Sequence, residues 1–140
     1  MDKINKAAGF AKRKHAGQVD DEGKDYYFAH LLPVVLILTN VTKNENVIAA
    51  GYLHDTLEDT ETTEEELRTE FGDRITDLVL EVTQEGSRND KGFYFPRLHS
   101  KEGIMIKFAD RLSNISRMSS WSEERQVHYL KKSKFWKSEL

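Results

Sequence analysis

The run Gly51-Tyr52-Leu53-His54-Asp55-Thr56-Leu57-Glu58-Asp59-Thr60 gathers one imidazole and three carboxylates within a few residues. On an α-helix residues i and i+4 share a face, so the spacing predicts His54 above Glu58 and Asp55 above Asp59. Ala49, Ala50, Leu53 and Leu57 flank them. A solvated helix would scatter such groups or pair the acids with lysine and arginine. Neither residue occurs between Lys43 and Arg68. Acids and an imidazole gathered without cationic partners suggest that an ion supplies the positive charge. His54-Asp55 by itself is unspecific: a histidine bonded near a helix end, with exposed acids, gives the same pattern.

His30 follows the aromatic run Tyr26-Tyr27-Phe28 and opens an apolar segment. At such a boundary a histidine is more often a satisfied core or capping residue than a ligand. Asp110 lies in Ile104-Met105-Ile106-Lys107-Phe108-Ala109-Asp110-Arg111-Leu112. There Ile104, Phe108, Leu112 and Ile115 form an apolar stripe, and Lys107, Asp110, Asn114 and Arg117 a polar one. The polar stripe is either a solvent face, with Asp110 paired to Lys107, or the wall of a pocket. Spacing leaves both open.

The elements that must carry these residues read as helices nearly throughout. Ile4, Ala7, Ala8 and Ala11 have helical periodicity behind Asp2 as a cap. Gly17 to Lys24 is loop chemistry. A second helix is expected over about His30–Thr39, and a third from about Asn46 through Leu53. Thr63 with Glu66 forms a capping box for a fourth, Glu64–Phe71, which Gly72 ends. Asp73 can cap a fifth, with Ile75, Leu78, Val79 and Val82 on one face. Gln84 to Gly92 reads as a loop and Phe93-Tyr94-Phe95-Pro96 as a short irregular or extended piece. A sixth helix is expected over about Lys101–Met118 and a seventh from near Ser122. No repeat or long linker divides the chain, so the expectation is all-α: one compact bundle of about six to seven helices over residues 1–140.

Composition narrows the function classes. The chain has no cysteine, which excludes a disulfide scaffold and a thiolate metal site. Its 21 basic and 24 acidic residues give a net charge of −3, with no global attraction to nucleic acid. The basic run Lys131-Lys132-Ser133-Lys134 with Lys137 reads as a solvated helix end rather than a nucleic-acid patch. The longest apolar stretch, Leu31–Leu38, contains Pro33 and is too short to span a bilayer. The first residues lack a secretory pattern. Mean hydropathy is −0.66, but the apolar residues are strongly patterned, which argues against disorder. A soluble, cytoplasmic protein is expected.

The motifs His15-Ala16-Gly17-Gln18, Tyr27-Phe28-Ala29-His30, His54-Asp55-Thr56-Leu57-Glu58-Asp59-Thr60, Phe71-Gly72 and Lys107-Phe108-Ala109-Asp110-Arg111-Leu112-Ser113-Asn114 occur in this order over most of the chain. Together they resemble the HD superfamily of metal-dependent phosphohydrolases. Within it they are most similar to the hydrolase domain of the RelA/SpoT alarmone enzymes and their small single-domain, metazoan SpoT homolog-like relatives. The resemblance implies an HD-type helical bundle in which His30, His54, Asp55 and Asp110 hold one divalent ion, usually manganese. It implies that Glu58 and Asp59 are the acid pair that handles the attacking water and the leaving group. Two imidazoles and two carboxylates suit Mn²⁺, Fe²⁺ or Zn²⁺ better than Ca²⁺. Lys107, Arg111 and Asn114 would contact the substrate, with positive charge from Lys107 and Arg111 for phosphate oxygens. Arg117 could add to it, although salt bridging is the better reading there.

The sequence departs from the family beside its first motif. Where alarmone hydrolases place an Arg-Lys pair that helps hold the nucleotide, this chain has Val19-Asp20-Asp21-Glu22. The stretch from His15 to His30 is one residue longer, and His30 is followed by Leu31 rather than proline. Three acids near a polyanion should repel it. The expected activity is Mn²⁺-dependent hydrolysis of a phosphorylated nucleotide, first of all removal of the 3′-pyrophosphate from guanosine 3′,5′-bis(diphosphate). The alternatives are an HD hydrolase acting on another nucleotide, such as a phosphomonoester or NADPH, and a non-catalytic metal or nucleotide sensor. Glu58 and Asp59 argue against the sensor. The sequence leaves oligomeric state open.

Overall fold

The computed structural model describes residues 2–83 and 98–132. The loop expected at Gln84–Gly92, the piece Phe93–Pro96 and most of the basic C-terminal run lie outside them. Among the described residues the chain is helical, with no strand and a single isolated antiparallel bridge, Val19 to Asp25. The all-α expectation holds.

Seven α-helices are described: α1 (Asp2–Lys14), α2 (Leu32–Thr39), α3 (Glu45–Leu53), α4 (Thr56–Asp59), α5 (Glu64–Val82), α6 (Lys101–Ile115) and α7 (Glu123–Lys132). α3 is central and is buried from Val47 to Leu53. α1, α2, α5 and α6 pack against it. Asn44 caps α3 by accepting from the Asn46 N–H. Gly51 lets α2 approach closely, since a Cβ there would lie 2.5 Å from Leu38 Cδ1.

Several boundaries differ from those read in the sequence. Asp2 is inside the first turn of α1 and does not cap it. The second helical segment begins earlier than His30, as a π-turn over Tyr27–Leu31 that runs directly into α2. A π-turn takes one residue more per turn than an α-turn. Spacing over His54–Asp59 predicts one continuous helix. Instead α3 ends at Leu53, and Asp55, at φ −101° and ψ 0°, separates it from the short α4. The expected fourth and fifth helices are two arms of α5, kinked at Gly72 with φ +84°. Thr63 caps the first arm, its hydroxyl oxygen accepting from the Glu66 N–H, as expected. α6 ends at Ile115, three residues early, and a 3₁₀ turn, Met118–Ser120, leads to α7.

α6 carries Asp110, and its start is fixed by a buried acid. Ser100 caps it at the Gly103 N–H. Glu81 accepts from the backbone N–H groups of His99 and Ser100 and from the Ser100 hydroxyl at 2.8–3.0 Å. A carboxylate at a helix N-terminus is favoured by the orphan N–H groups and the dipole. Gly103 makes room for it, since any Cβ there would strike the Glu81 carboxylate.

Candidate metal centre and active site

Three segments deliver the candidate ligands. The π-turn presents His30, the break between α3 and α4 presents His54 and Asp55, and α6 presents Asp110. One donor atom from each of the four lies within 4.8 Å of the others. His30 Nε2 is 3.0 Å from Asp110 Oδ1 and 3.4 Å from Asp55 Oδ2. His54 Nε2 is 3.2 Å from each of the same oxygens. His30, His54 and Asp110 are buried, and Asp55 is largely so. The polar stripe of α6 therefore turns inward at Lys107 and Asp110.

Hydrogen bonds aim these groups. His54 Nδ1 donates to the Gly51 carbonyl at 2.7 Å, which leaves the Nε2 lone pair facing the two carboxylates. Lone pairs so placed repel unless a proton or a cation lies between them. At His30 the Arg117 guanidinium, always a donor, reaches Nδ1 at 2.7 Å. With Arg117 donating there, the ring proton sits on Nε2 and faces the two carboxylates; for Nε2 to serve as a ligand, Arg117 must withdraw and the Ser113 hydroxyl, 3.2 Å from Nδ1, accept the proton instead. The Tyr26 hydroxyl donates to Asp55 Oδ2 at 2.6 Å.

Burial by itself disfavours an imidazolium at His54, but Asp55 and Asp110 raise its pKa well above the usual value. His30 is raised for the same reason against the same opposition. Burial would push the Asp55 and Asp110 carboxyls up. The two imidazoles, helped at Asp110 by Lys107, hold both well below the carboxylate range. With neutral imidazoles the four converging donors carry two negative charges, which a divalent cation would cancel. The donor set fits a mid-series ion.

The other candidates divide by depth. Glu58 and Asp59 lie on α4 and are exposed. Partial desolvation beside the site and the neighbouring Asp55 raise the Asp59 carboxyl, and Gln18 Nε2 reaches it at 3.5 Å. Gln18 is itself held by His15 Nδ1 at 2.7 Å. Lys107 and Arg111 are buried against Asp110, at 3.9 and 4.0 Å. Burial lowers the Lys107 pKa, while Asp110 opposes that shift. Arg111 also reaches the Tyr129 hydroxyl at 3.1 Å. Asn114 donates to the same hydroxyl at 2.7 Å and lines an adjacent pocket of about 330 Å³ with Asp20, Tyr26, Arg117, Trp121 and Arg125.

Sequence reasoning did not single out Tyr26, Ser113 or Gln18 as site residues. Tyr26 stood in the aromatic run, but the quoted motif began at Tyr27, whose ring instead stacks on Tyr52. Ser113 and Gln18 stood inside quoted motifs without a role. Arg117 pairs with Asp20 at 3.3 Å, in line with the salt-bridge reading, and also touches His30.

The HD domain family matches residues 7–91. Guanosine-3′,5′-bis(diphosphate) 3′-pyrophosphohydrolase of Aquifex aeolicus (strain VF5) is 35% identical over 133 residues, which cover 89% of this chain and 19% of that protein. The enzyme of the same name from Spiroplasma citri is 35% identical over 137 residues, covering 90% and 18%. GTP pyrophosphokinase of Myxococcus xanthus is 33% identical over 141 residues, covering 91% and 18%. The chain thus spans about a fifth of the length of these curated relatives. A solved structure of a metazoan ortholog of SpoT that hydrolyses ppGpp superposes with a TM-score of 0.76 at 26% identity, covering 96% of this chain and 83% of that one. The chain belongs to the HD domain family.

Proposed function

We propose that this domain, residues 1–140, is a cytoplasmic, manganese-dependent hydrolase that removes the 3′-pyrophosphate from guanosine 3′,5′-bis(diphosphate). The observation that carries the reading is the convergence of His30, His54, Asp55 and Asp110 donor atoms within 4.8 Å beside a pocket of nucleotide dimensions. The names and similarity of the relatives support the substrate.

His30, His54, Asp55 and Asp110 would hold a divalent ion, which would supply Lewis-acid charge for a phosphoryl oxygen and for activating water. The chain's own groups do the rest. The Gly51 carbonyl fixes the His54 tautomer, and Tyr26 orients the Asp55 carboxylate. Glu58 takes the proton of the attacking water or orients it. Water adds to the phosphorus joined to the 3′ oxygen, the bond between them breaks, and Asp59 supplies the proton to the departing oxygen. Partial desolvation and the neighbouring Asp55 shift its carboxyl upward, the direction a proton donor needs. Asn114, on the pocket wall, contacts the substrate. Lys107 and Arg111, behind Asp110, lend positive charge to the developing phosphate oxygens.

A second reading keeps this core and changes the nucleotide to one with a single phosphate. The carboxylates of Asp20 and Asp21 at the pocket favour it, because they reduce its positive charge. One assay tests both. Purified protein with Mn²⁺ is offered guanosine tetraphosphate, NADPH and nucleoside 3′-monophosphates. The first reading requires pyrophosphate and guanosine diphosphate as products, blocked by a chelator. Orthophosphate from a monophosphate, with none of these products, rejects it.

A further inference from the structure

Asp20 and Asp21 stand where a nucleotide polyanion would be expected to meet cations, yet neither is a free charge. Asp20 accepts from the Glu22 and Lys24 backbone N–H groups through Oδ1, at 2.9 Å each. Its Oδ2 pairs with Arg117 at 3.3 Å, and its side chain is only 5% exposed. Asp21 pairs with Arg125 at 2.8 Å, with both side chains about half exposed. The Arg125 guanidinium lies 3.7 Å from the centroid of the Trp121 ring. All five side chains line one pocket. The pairs form a graded row: the inner arginine touches His30 of the candidate metal centre, and the outer one sits at the exposed end.

We propose that Asp20 and Asp21 are specificity residues that occupy Arg117 and Arg125 in place of substrate phosphate. This rests on the function proposed above. An arginine fork that binds a carboxylate also binds a phosphate, with similar geometry. A nucleotide phosphate therefore enters by displacing these carboxylates, and must compete with an intramolecular anion for each guanidinium. The turn keeps Asp20 in place when it loses its arginine, because its other oxygen caps two backbone N–H groups. Phosphate-rich nucleotides are thereby held weakly unless their own contacts outweigh both pairs. The acids act through two defined ion pairs and not as diffuse repulsion.

Asp20→Asn and Asp21→Asn test this. Asparagine retains an oxygen for the turn while removing the charge that holds the arginine. KM for guanosine tetraphosphate should fall about three- to tenfold in Asp20→Asn, the more buried pair, and about twofold in Asp21→Asn. kcat should change little. The gain should shrink with added salt and be smaller for guanosine monophosphate. Equilibrium dialysis of both nucleotides against protein in chelator reads the same affinity ratios without turnover. If the wild type binds the tetraphosphate but never hydrolyses it, the proposed function fails while the dialysis ratio still decides this inference. Melting temperatures within a few degrees of wild type exclude a folding defect. An unchanged or raised dissociation constant in a folded Asp20→Asn would overturn the proposal. A raised value would mean that the carboxylate itself contacts the nucleotide.

Discussion

The candidate metal centre and the mouth of the adjoining pocket lie side by side but are built differently. The centre takes its groups from the π-turn, the α3–α4 break and α6, all backed by the core around α3. His30 and His54 are almost wholly inaccessible, and each ring nitrogen has a defined neighbour. The mouth takes its groups from the Gly17–Lys24 loop, the segment after α6, and α7. Its outer pair, Asp21 with Arg125, is half exposed. Buried polar groups left unpaired are costly, so the centre has few arrangements open to it. Exposed ion pairs contribute little and rearrange readily. Chemistry is thus set in the rigid part and discrimination in the adjustable part.

That contrast is testable from its strongest element downward. Asp55→Ala removes a carboxylate from the centre and should reduce both metal content and hydrolysis to background. Elemental analysis finding as much metal as in wild type would remove Asp55 from the ligand set. Glu58→Gln keeps size and loses charge. It should lower kcat by about two to four orders of magnitude with metal content retained. If the metal is lost too, Glu58 is a ligand and the centre reaches into α4.

Tyr26→Phe deletes only the 2.6 Å bond to Asp55. Groups that orient a ligand change metal affinity by about ten- to a hundredfold. A chelator competition on the variant should find a loss in that range; unchanged affinity would detach Tyr26 from the centre. Arg117→Gln is the sharpest probe of the boundary, because Arg117 touches both His30 and Asp20. KM for the nucleotide should rise about fivefold, as for one lost charge contact in a partly exposed site, with metal content near wild type. Loss of metal along with affinity would mean that the two regions act as one.

Much of the centre could be read before any fold was known. His54, Asp55 and the two acids after them stood out because no lysine or arginine was near enough in sequence to explain them. Their convergence does not come from i and i+4 stacking on one helix. Asp55 leaves helical geometry and separates α3 from the short α4. Periodicity cannot register such a break, because it changes direction without changing composition. The π-turn was hidden for a similar reason: its hydrogen-bond pattern, not its composition, distinguishes it from an α-turn. Helix starts were better marked, since Thr63, Ser100 and Ser122 satisfy local N–H groups through near neighbours.

By itself the sequence determined the helical class, the caps at Thr63 and Ser122, a change of direction at Gly72 and the residue types able to bind an ion. All of these rest on interactions within a few residues. Only the tertiary structure decided which face of α6 turns inward, so that Asp110 meets His30 and His54 rather than water. It alone joined Tyr26 to Asp55, Arg117 to Asp20 and Arg125 to Asp21. These partners lie 29, 97 and 104 residues apart. No local rule relates such positions, and the packing of helices around α3 is what brings them together.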